Sequence, residues 1–304
     1  MSELVDLSKL AYPKVLEELD FEQLLAERKA AFIALYPAEK QDYWRAVLAL
    51  ESEPINKLLQ ENVYLQLLER NRINEAAKAT MLAYATGSDL DVIAANFNVQ
   101  RLIIQPADHS VSPPIEEIKE SDTELRLRCQ LAFESLSVAG PRSAYMFHAL
   151  SAHAGVADVS VTSPQPAHVS VTILARDGKG TAEESILNAV RERLNDENVR
   201  PVADRVTVQS AVIQDYQIQA KLHLYRGPEY EPIKQAATVS IEKYTQERRR
   251  LGRDITLSGI YAALHIEGVQ RVELLQPQAD IVLPNHKAGY CTSIHLELVT
   301  ADDY

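Results

Sequence analysis

Cysteine is scarce in this sequence, long apolar runs and a basic surplus are missing, and each shortage excludes something. Two cysteines in 304 residues, Cys129 and Cys291, cannot build a disulfide framework, and a reducing compartment is expected. No apolar run approaches the roughly 18–20 residues of a membrane span. The first fifteen residues lack the basic start and apolar stretch of a signal peptide. Lysine and arginine number 31 against 43 acidic residues, a net charge of −12. That balance argues against a general nucleic-acid binder, because phosphate neutralisation needs cationic side chains. The charge is spread: residues 1–105 hold 11 basic and 16 acidic residues, and the remainder 20 and 27. Neither part is a basic arm or an acidic tail.

Glycine is absent from most of the first half. Only Gly87 of the ten precedes Gly140. Glycine is costly in helix interiors and useful at turns, so the first part is expected to be helical and the second to hold strands. The length itself allows about two domains. Asp20 is an N-cap candidate for a helix reaching about Leu35, with Phe21, Leu24, Leu25, Phe32 and Ile33 apolar. A second helix is predicted from Ala38 to Ser52, carrying Tyr43 and Trp44. Pro54 suits the first turn of a third, expected to run to about Ala85 and to end at Gly87. Its apolar face drifts from Ile55, Leu58, Leu59 and Val63, through Tyr64, Leu67 and Leu68, to Ile73 and Ala76. Such a helix can pack against more than one neighbour.

Val99–Ile104 reads as a strand, and Pro106, Pro113 and Pro114 as a linker. Ser121 with Glu124 is a capping box for a helix to about Leu136. Another helix follows Gly140-Pro141. Strands then dominate. The clearest places Tyr216, Ile218, Ala220, Leu222 and Leu224 on one face and Gln217, Gln219, Lys221 and His223 on the other. An internal echo spaces Ala149-Leu150, Gly155-Val156 and Val159 113 residues from Ala262-Ala263, Gly268-Val269 and Val272. The predicted class is α+β: a helical region 1–105, a linker and helix 106–141, and two small two-layer α/β modules, 142–211 and 212–304.

Active-site grammar is thin. Asp177-Gly178-Lys179-Gly180-Thr181 sits between a strand and a helix, but the P-loop positions are Leu174 and Gly180, so the spacing fails. Thr181 with Glu184 is read instead as a capping box. His148 and His153 are five apart and do not share a helix face as an HExxH pair does. His168, His223 and His295 are expected to face solvent. There is no G-x-S-x-G elbow, and Glu116-Glu117 is surface-like. No catalytic residue, cofactor or metal ligand is assigned, and no enzyme is expected. Arg248-Arg249-Arg250 with Arg253 is the one basic cluster. It suits a helix C-terminus followed by Gly252 in the left-handed conformation, or an interface that pairs arginine with a partner carboxylate.

The stretch Gly252-Arg253-Asp254-Ile255, with Leu257-Ser258, Gly268-Val269-Gln270-Arg271-Val272 and Ala279-Asp280-Ile281, resembles baseplate assembly protein J. So do Asp177-Gly178-Lys179-Gly180-Thr181 and 198–206. These are J-type baseplate wedge proteins of contractile-tailed phages and R-type bacteriocins. The resemblance spans nearly the whole chain and is most specific over 170–285. It implies a structural virion component, assembled in the bacterial host cytoplasm and present in phage or prophage tails. Two copies would join one tail protein I-type partner in a wedge. Helical N-terminal parts would bundle with that partner. The α/β modules would link wedges into a ring beside sheath-initiator (W-type) and hub proteins, with no nucleic acid and no membrane among the partners. The candidate interface residues are Phe21, Leu25, Tyr43, Trp44, Leu67, Leu68, Arg249 and Arg250. Gly178, Gly180, Gly252, Arg253, Asp254 and Gly268 are read as fold determinants. The rival reading is a non-catalytic peptide or nucleic-acid binding module.

Overall fold

The computed structural model describes residues 4–133, 140–225 and 230–299, with the Ser8 side chain set aside. Two compact units divide at residue 98, and each is described by itself.

The first unit is helical. A 3-10 turn, Leu7–Lys9, precedes α1 (Phe21–Ala34), α2 (Ala38–Leu48), α3 (Pro54–Ala79) and α4 (Gly87–Asn96). The Asp20 carboxylate accepts the Gln23 N–H at 2.9 Å and opens α1 as expected. Leu24, Leu25, Leu48, Leu59 and Val63 form the core, with Phe21, Phe32, Ile33, Ile55 and Leu67 packed on it. The spacing 55, 59, 63, 67 keeps one side of α3 on that core. Buried Asn74 ties down the segment before α1: its amide donates to the Glu17 carbonyl at 2.8 Å and its oxygen accepts the Glu17 N–H at 3.1 Å.

Two helix ends differ from expectation. The second helix stops at Leu48, and α3 stops at Ala79 rather than Ala85. The Thr80 hydroxyl donates to the Ala77 carbonyl at 2.8 Å, and its N–H turns to the same oxygen. This local bond competes with the helix ladder. Gly87, at φ +54°, opens α4 instead of closing α3. At 26 residues, α3 is about 39 Å long.

The second unit begins with a β arm: β1 (Ile103–Gln105) runs antiparallel to β2 (Ile118–Lys119). Helix α5 (Asp122–Ala132) opens on the expected Ser121–Glu124 capping box; its expected continuation to Leu136 lies outside the described residues. Then come α6 (Arg142–Ala152), β3 (Val156–Gln165), β4 (His168–Ala175), α7 (Glu184–Asn195) and β5 (Arg205–Ser210). The last group is β6 (Val212–Leu224), α8 (Glu231–Arg248), α9 (Leu257–Leu264), β7 (Val269–Gln276) and β8 (Lys287–Val299).

These elements make the two two-layer modules predicted. The first sheet has the order β3-β4-β5 and the second β7-β6-β8. In each, the central strand has one antiparallel and one parallel neighbour. Val171, Ile173, Val190 and Leu194 centre the first core; Ile218, Leu222, Ile241 and Ile260 centre the second. Leu174, Ala211 and Ala288, with Ile213 and Leu251, join the modules. Thr181 does not cap α7. It forms an isolated antiparallel bridge to Leu174, and Glu183 holds the N-cap position without a side-chain bond. His223 is buried rather than solvent-facing, with its ring 2.9 Å from the Arg271 guanidinium.

Candidate functional site

No group of three or more His, Cys, Asp or Glu side chains among the described residues is placed to hold a metal ion. A cavity of about 350 Å³ lies beside Tyr145, Arg142, His168 and Asp204. Its Tyr145 hydroxyl donates to Asp204 at 2.8 Å, and burial with that carboxylate pushes the phenol pKa up, away from nucleophilic use. Burial pushes the Cys129 thiol up to about 11, so it stays protonated and inert. No described helix is long and apolar enough to cross a membrane.

Surfaces are more informative than pockets. Opposite its core-facing side, α3 exposes Leu58, Leu65 and Leu68, with Tyr64 beside them. Residues seven apart drift only about 20° around a helix, so Leu58 and Leu65 share one line. The drift read in the sequence therefore resolves into two apolar faces on one helix. Leu65 was missed; the period linking 58, 65 and 68 is the signal that finds it. No described helix is packed over this outer stripe within the first unit.

The candidate interface residues of this unit separate accordingly. Leu25 is core, while Phe21 and Leu67 are half-buried against it. Leu68 belongs to the outer stripe. Trp44 is half-buried, stacked on Tyr36 at 4.7 Å and edge-on to Phe32 at 5.6 Å. Tyr43 lies against Trp44 at 5.5 Å but is 65% exposed. Tyr43 and Leu68 thus present apolar surface, and Leu25 presents none.

In the second unit the arginine cluster also divides. Arg249 is turned inward: its guanidinium donates to the Arg176 and Gly178 carbonyls at 3.2 and 2.7 Å and lies over the Tyr290 ring. It joins the two modules of one chain. Arg250 and Arg253 are exposed, and neither forms an ion pair among the described residues. Asp254 accepts the Leu283 N–H at 2.7 Å. Gly178, Gly180, Gly252 and Gly268 have φ of +57°, +111°, +66° and +92°. Gly252 does not follow α8 directly as a helix stop. Arg249 is the C-cap, and Gly252 lies three residues on, donating its N–H to the Lys287 carbonyl at 2.9 Å. A β carbon there would sit 2.8 Å from the Asn285 Oδ1.

One feature was not legible from spacing. Arg128 on α5 and Glu120 form an ion pair at 2.7 Å with only 7% and 3% of their side chains exposed. Glu120 also accepts the Leu102 N–H at 3.1 Å, and Arg128 donates to the Gln100 carbonyl and the Ser151 hydroxyl. Arg101 pairs with Asp122 at 2.7 Å beside them.

Three family models match in chain order. They are the Baseplate J-like N-terminal domain over residues 51–108, the Baseplate J-like central domain over 137–210 and the Baseplate J-like protein C-terminal domain over 216–297. The chain is also 57% identical, over 300 residues and 99% of both sequences, to "Baseplate protein J" of Escherichia phage P2. The chain belongs to the baseplate J family. It is a structural protein of the phage tail baseplate, a virion component and not an enzyme. For a baseplate J protein, exposed helix faces and charged turns are therefore the surfaces to explain, and the cavity beside Tyr145 is not.

Proposed function

We propose that two copies of this baseplate J protein pair with each other and with one tail protein I-type partner to form a wedge. The α/β modules then link wedges into a ring around the hub, next to the sheath-initiator (W-type) protein. The observation that supports the partner half of this reading is the second apolar face of α3. Leu58, Leu65 and Leu68 stand on the side of the helix away from its own core. An amphipathic helix that has filled its own core and still exposes such a stripe is suited to packing against a partner helix.

The test is co-expression of the full chain with the I-type partner, with Leu58→Glu and Leu65→Glu introduced together. Both positions are exposed, so the chain folds. The expected result is that the wild-type pair co-purifies and the variant does not. Undiminished co-purification of the variant would remove α3 from the interface.

A further inference from the structure

The arm between Leu102 and Glu120 is the least covered part of the second unit. Every residue from 109 to 119 is exposed, and so is Ile103. The arm still has order: Asp108 and Ile115 exchange both backbone hydrogen bonds at 2.9 Å beyond the β1–β2 ladder. Four apolar side chains, Ile103, Val111, Ile115 and Ile118, are open to solvent on it. Glu116 and Glu117 precede β2, with Lys119 paired to Glu117 at 3.1 Å.

The base of the arm is fixed by the buried charges described above. A buried ion pair contributes little net stability, because desolvation offsets most of the attraction; it does hold a defined geometry. The Glu120–Arg128 pair, the Leu102 N–H and the Arg101–Asp122 pair all sit where the arm leaves the body. The arm thus leaves the body in a fixed direction, with its apolar side chains exposed.

A basic counterpart exists at the same end of the unit. Glu124, one turn past the arm, pairs with Arg176 at 2.7 Å. The Arg176 carbonyl accepts from Arg249. Arg250 follows directly and Arg253 stands four residues after Arg249, both exposed. The buried Asp158 carboxylate accepts the Leu251 and Val159 N–H groups and feels the Arg250 and Arg253 charges, but lies beyond ion-pair distance of both, so their guanidinium groups stay open to solvent. In a chain of net charge −12, two exposed arginines that form no ion pair among the described residues present a local attractor for acidic surface.

We propose that the arm docks on the Arg250–Arg253 turn of a second copy of this chain, with Glu116 and Glu117 facing the arginines. The second copy's arm docks reciprocally. The arm's base is linked to the arginine turn through Glu124, Arg176 and Arg249, and a twofold axis would make the two docking contacts equivalent, as an isologous interface requires. The apolar residues of the arm are then buried in the contact, and the charges set its register. This inference rests on the self-pairing reading above and names the surface that carries it.

The experiment uses the full chain and three proteins: wild type, E116K/E117K and R250E/R253E. Sedimentation equilibrium at low salt reads association, and circular dichroism confirms folding. Each charge-reversed variant alone is expected to associate at least about tenfold more weakly than wild type. An equimolar mixture of the two variants is expected to recover wild-type association, since each arm then meets a turn of opposite charge. If either reversal fails to fold, E116Q/E117Q and R250Q/R253Q replace it, with a weakening of severalfold expected. Wild type that stays monomeric overturns the self-pairing reading itself. Wild type that pairs with no response to reversal, or variants whose mixture is not restored, overturns the arm contact alone. Salt-sensitive retention on DNA that R250E/R253E abolishes, with pairing unchanged, would make the turn a nucleic-acid site and also overturn it.

Discussion

The two α/β modules contain the same parts in different chain order. The central strand of the first, β4, lies between antiparallel β3 and parallel β5; that of the second, β6, lies between antiparallel β7 and parallel β8. In both, the antiparallel neighbour is entered from a short helix through a Gly-Val corner, Gly155-Val156 or Gly268-Val269. Yet α6–β3 comes before its central strand, and α9–β7 comes after its own. A helix–strand unit takes its place in a two-layer module from the apolar face it buries and the sheet edge open to it. The same architecture then tolerates either order. The modules differ in a second way. Helix α5 and the β arm are fastened to the first by buried charge, and among the described residues the second carries no such attachment.

The largest predicted effect tests that attachment. Arg128→Met leaves the Glu120 carboxylate buried without its partner, which costs about 3–5 kcal/mol. The urea midpoint of the second unit should fall accordingly. Adding Glu120→Leu should recover much of the loss, because a buried pair replaced by apolar groups is often near neutral. A single substitution costing under about 1 kcal/mol would show that the arm is held by something other than charge.

A pH difference between the modules comes next. His148 on α6 is 8% exposed. Burial, then the nearby Arg193 charge, hold its imidazole down at about 4 from an ordinary 6.5. The fold therefore favours the neutral ring. Its stability is fully present above pH 6.5 and is lost as pH falls from 6.5 through 4. At about 1.4 kcal/mol per pKa unit, the full loss is roughly 3 kcal/mol. The equivalent position in the second module is Tyr261, 113 residues on. Hydrogen exchange at pH 4.5 should quicken in α6 and α7 before α8 and α9. His148→Leu should flatten the dependence, and equal quickening in both modules would refute it.

The parts of the fold that depend on near neighbours could be read from sequence. The Asp20 cap, the Ser121–Glu124 box and the alternation of β6 all depend on residues a few positions apart, and each is present. What failed depended on competition between two local options. Gly87 can stop a helix or start one, and Thr181 can cap α7 or pair with Leu174. Tertiary packing decides such cases. The Glu120–Arg128 pair and the inward turn of Arg249 are contacts between elements, with no signature in spacing. Of the surfaces, the α3 stripe was half visible, because Leu58, Tyr64 and Leu68 stood in the drifting face. The arm was read as a linker from its prolines, and its order comes from pairing across the turn.

The two Gly-Val corners separate by backbone. Gly268 has φ +92°, and a β carbon there would meet the Ile233 Cδ1 at 2.6 Å and its Cγ1 at 3.1 Å. Gly155 does not have positive φ; its β carbon would meet the tip of Ile186 at 2.9 Å and the His153 ring at 3.0 Å. Left-handed backbone costs an L-residue roughly 1–2 kcal/mol. Gly268→Ala should therefore destabilise more than Gly155→Ala by about that amount in thermal unfolding. Equal costs would mean that the echo is one of conformation as well as sequence.

The smallest effect concerns the joint. Lys179 and Asp215 pair across it with 56% and 45% of their side chains exposed. Beside them lies the apolar cluster of Leu174, Ala211 and Ala288 with Ile213 and Leu251. Exposed ion pairs are worth about 0–1 kcal/mol and are screened by salt. Removing a buried leucine side chain costs about 2–5 kcal/mol. Lys179→Ala should thus shift the unfolding midpoint slightly, and 1 M salt should erase the shift. Leu174→Ala should shift it several times further at any salt concentration. The reverse ranking would make the joint electrostatic. The modules would then loosen against each other in high salt, each keeping its own core, because Ile173 and Leu222 are fully buried within separate clusters.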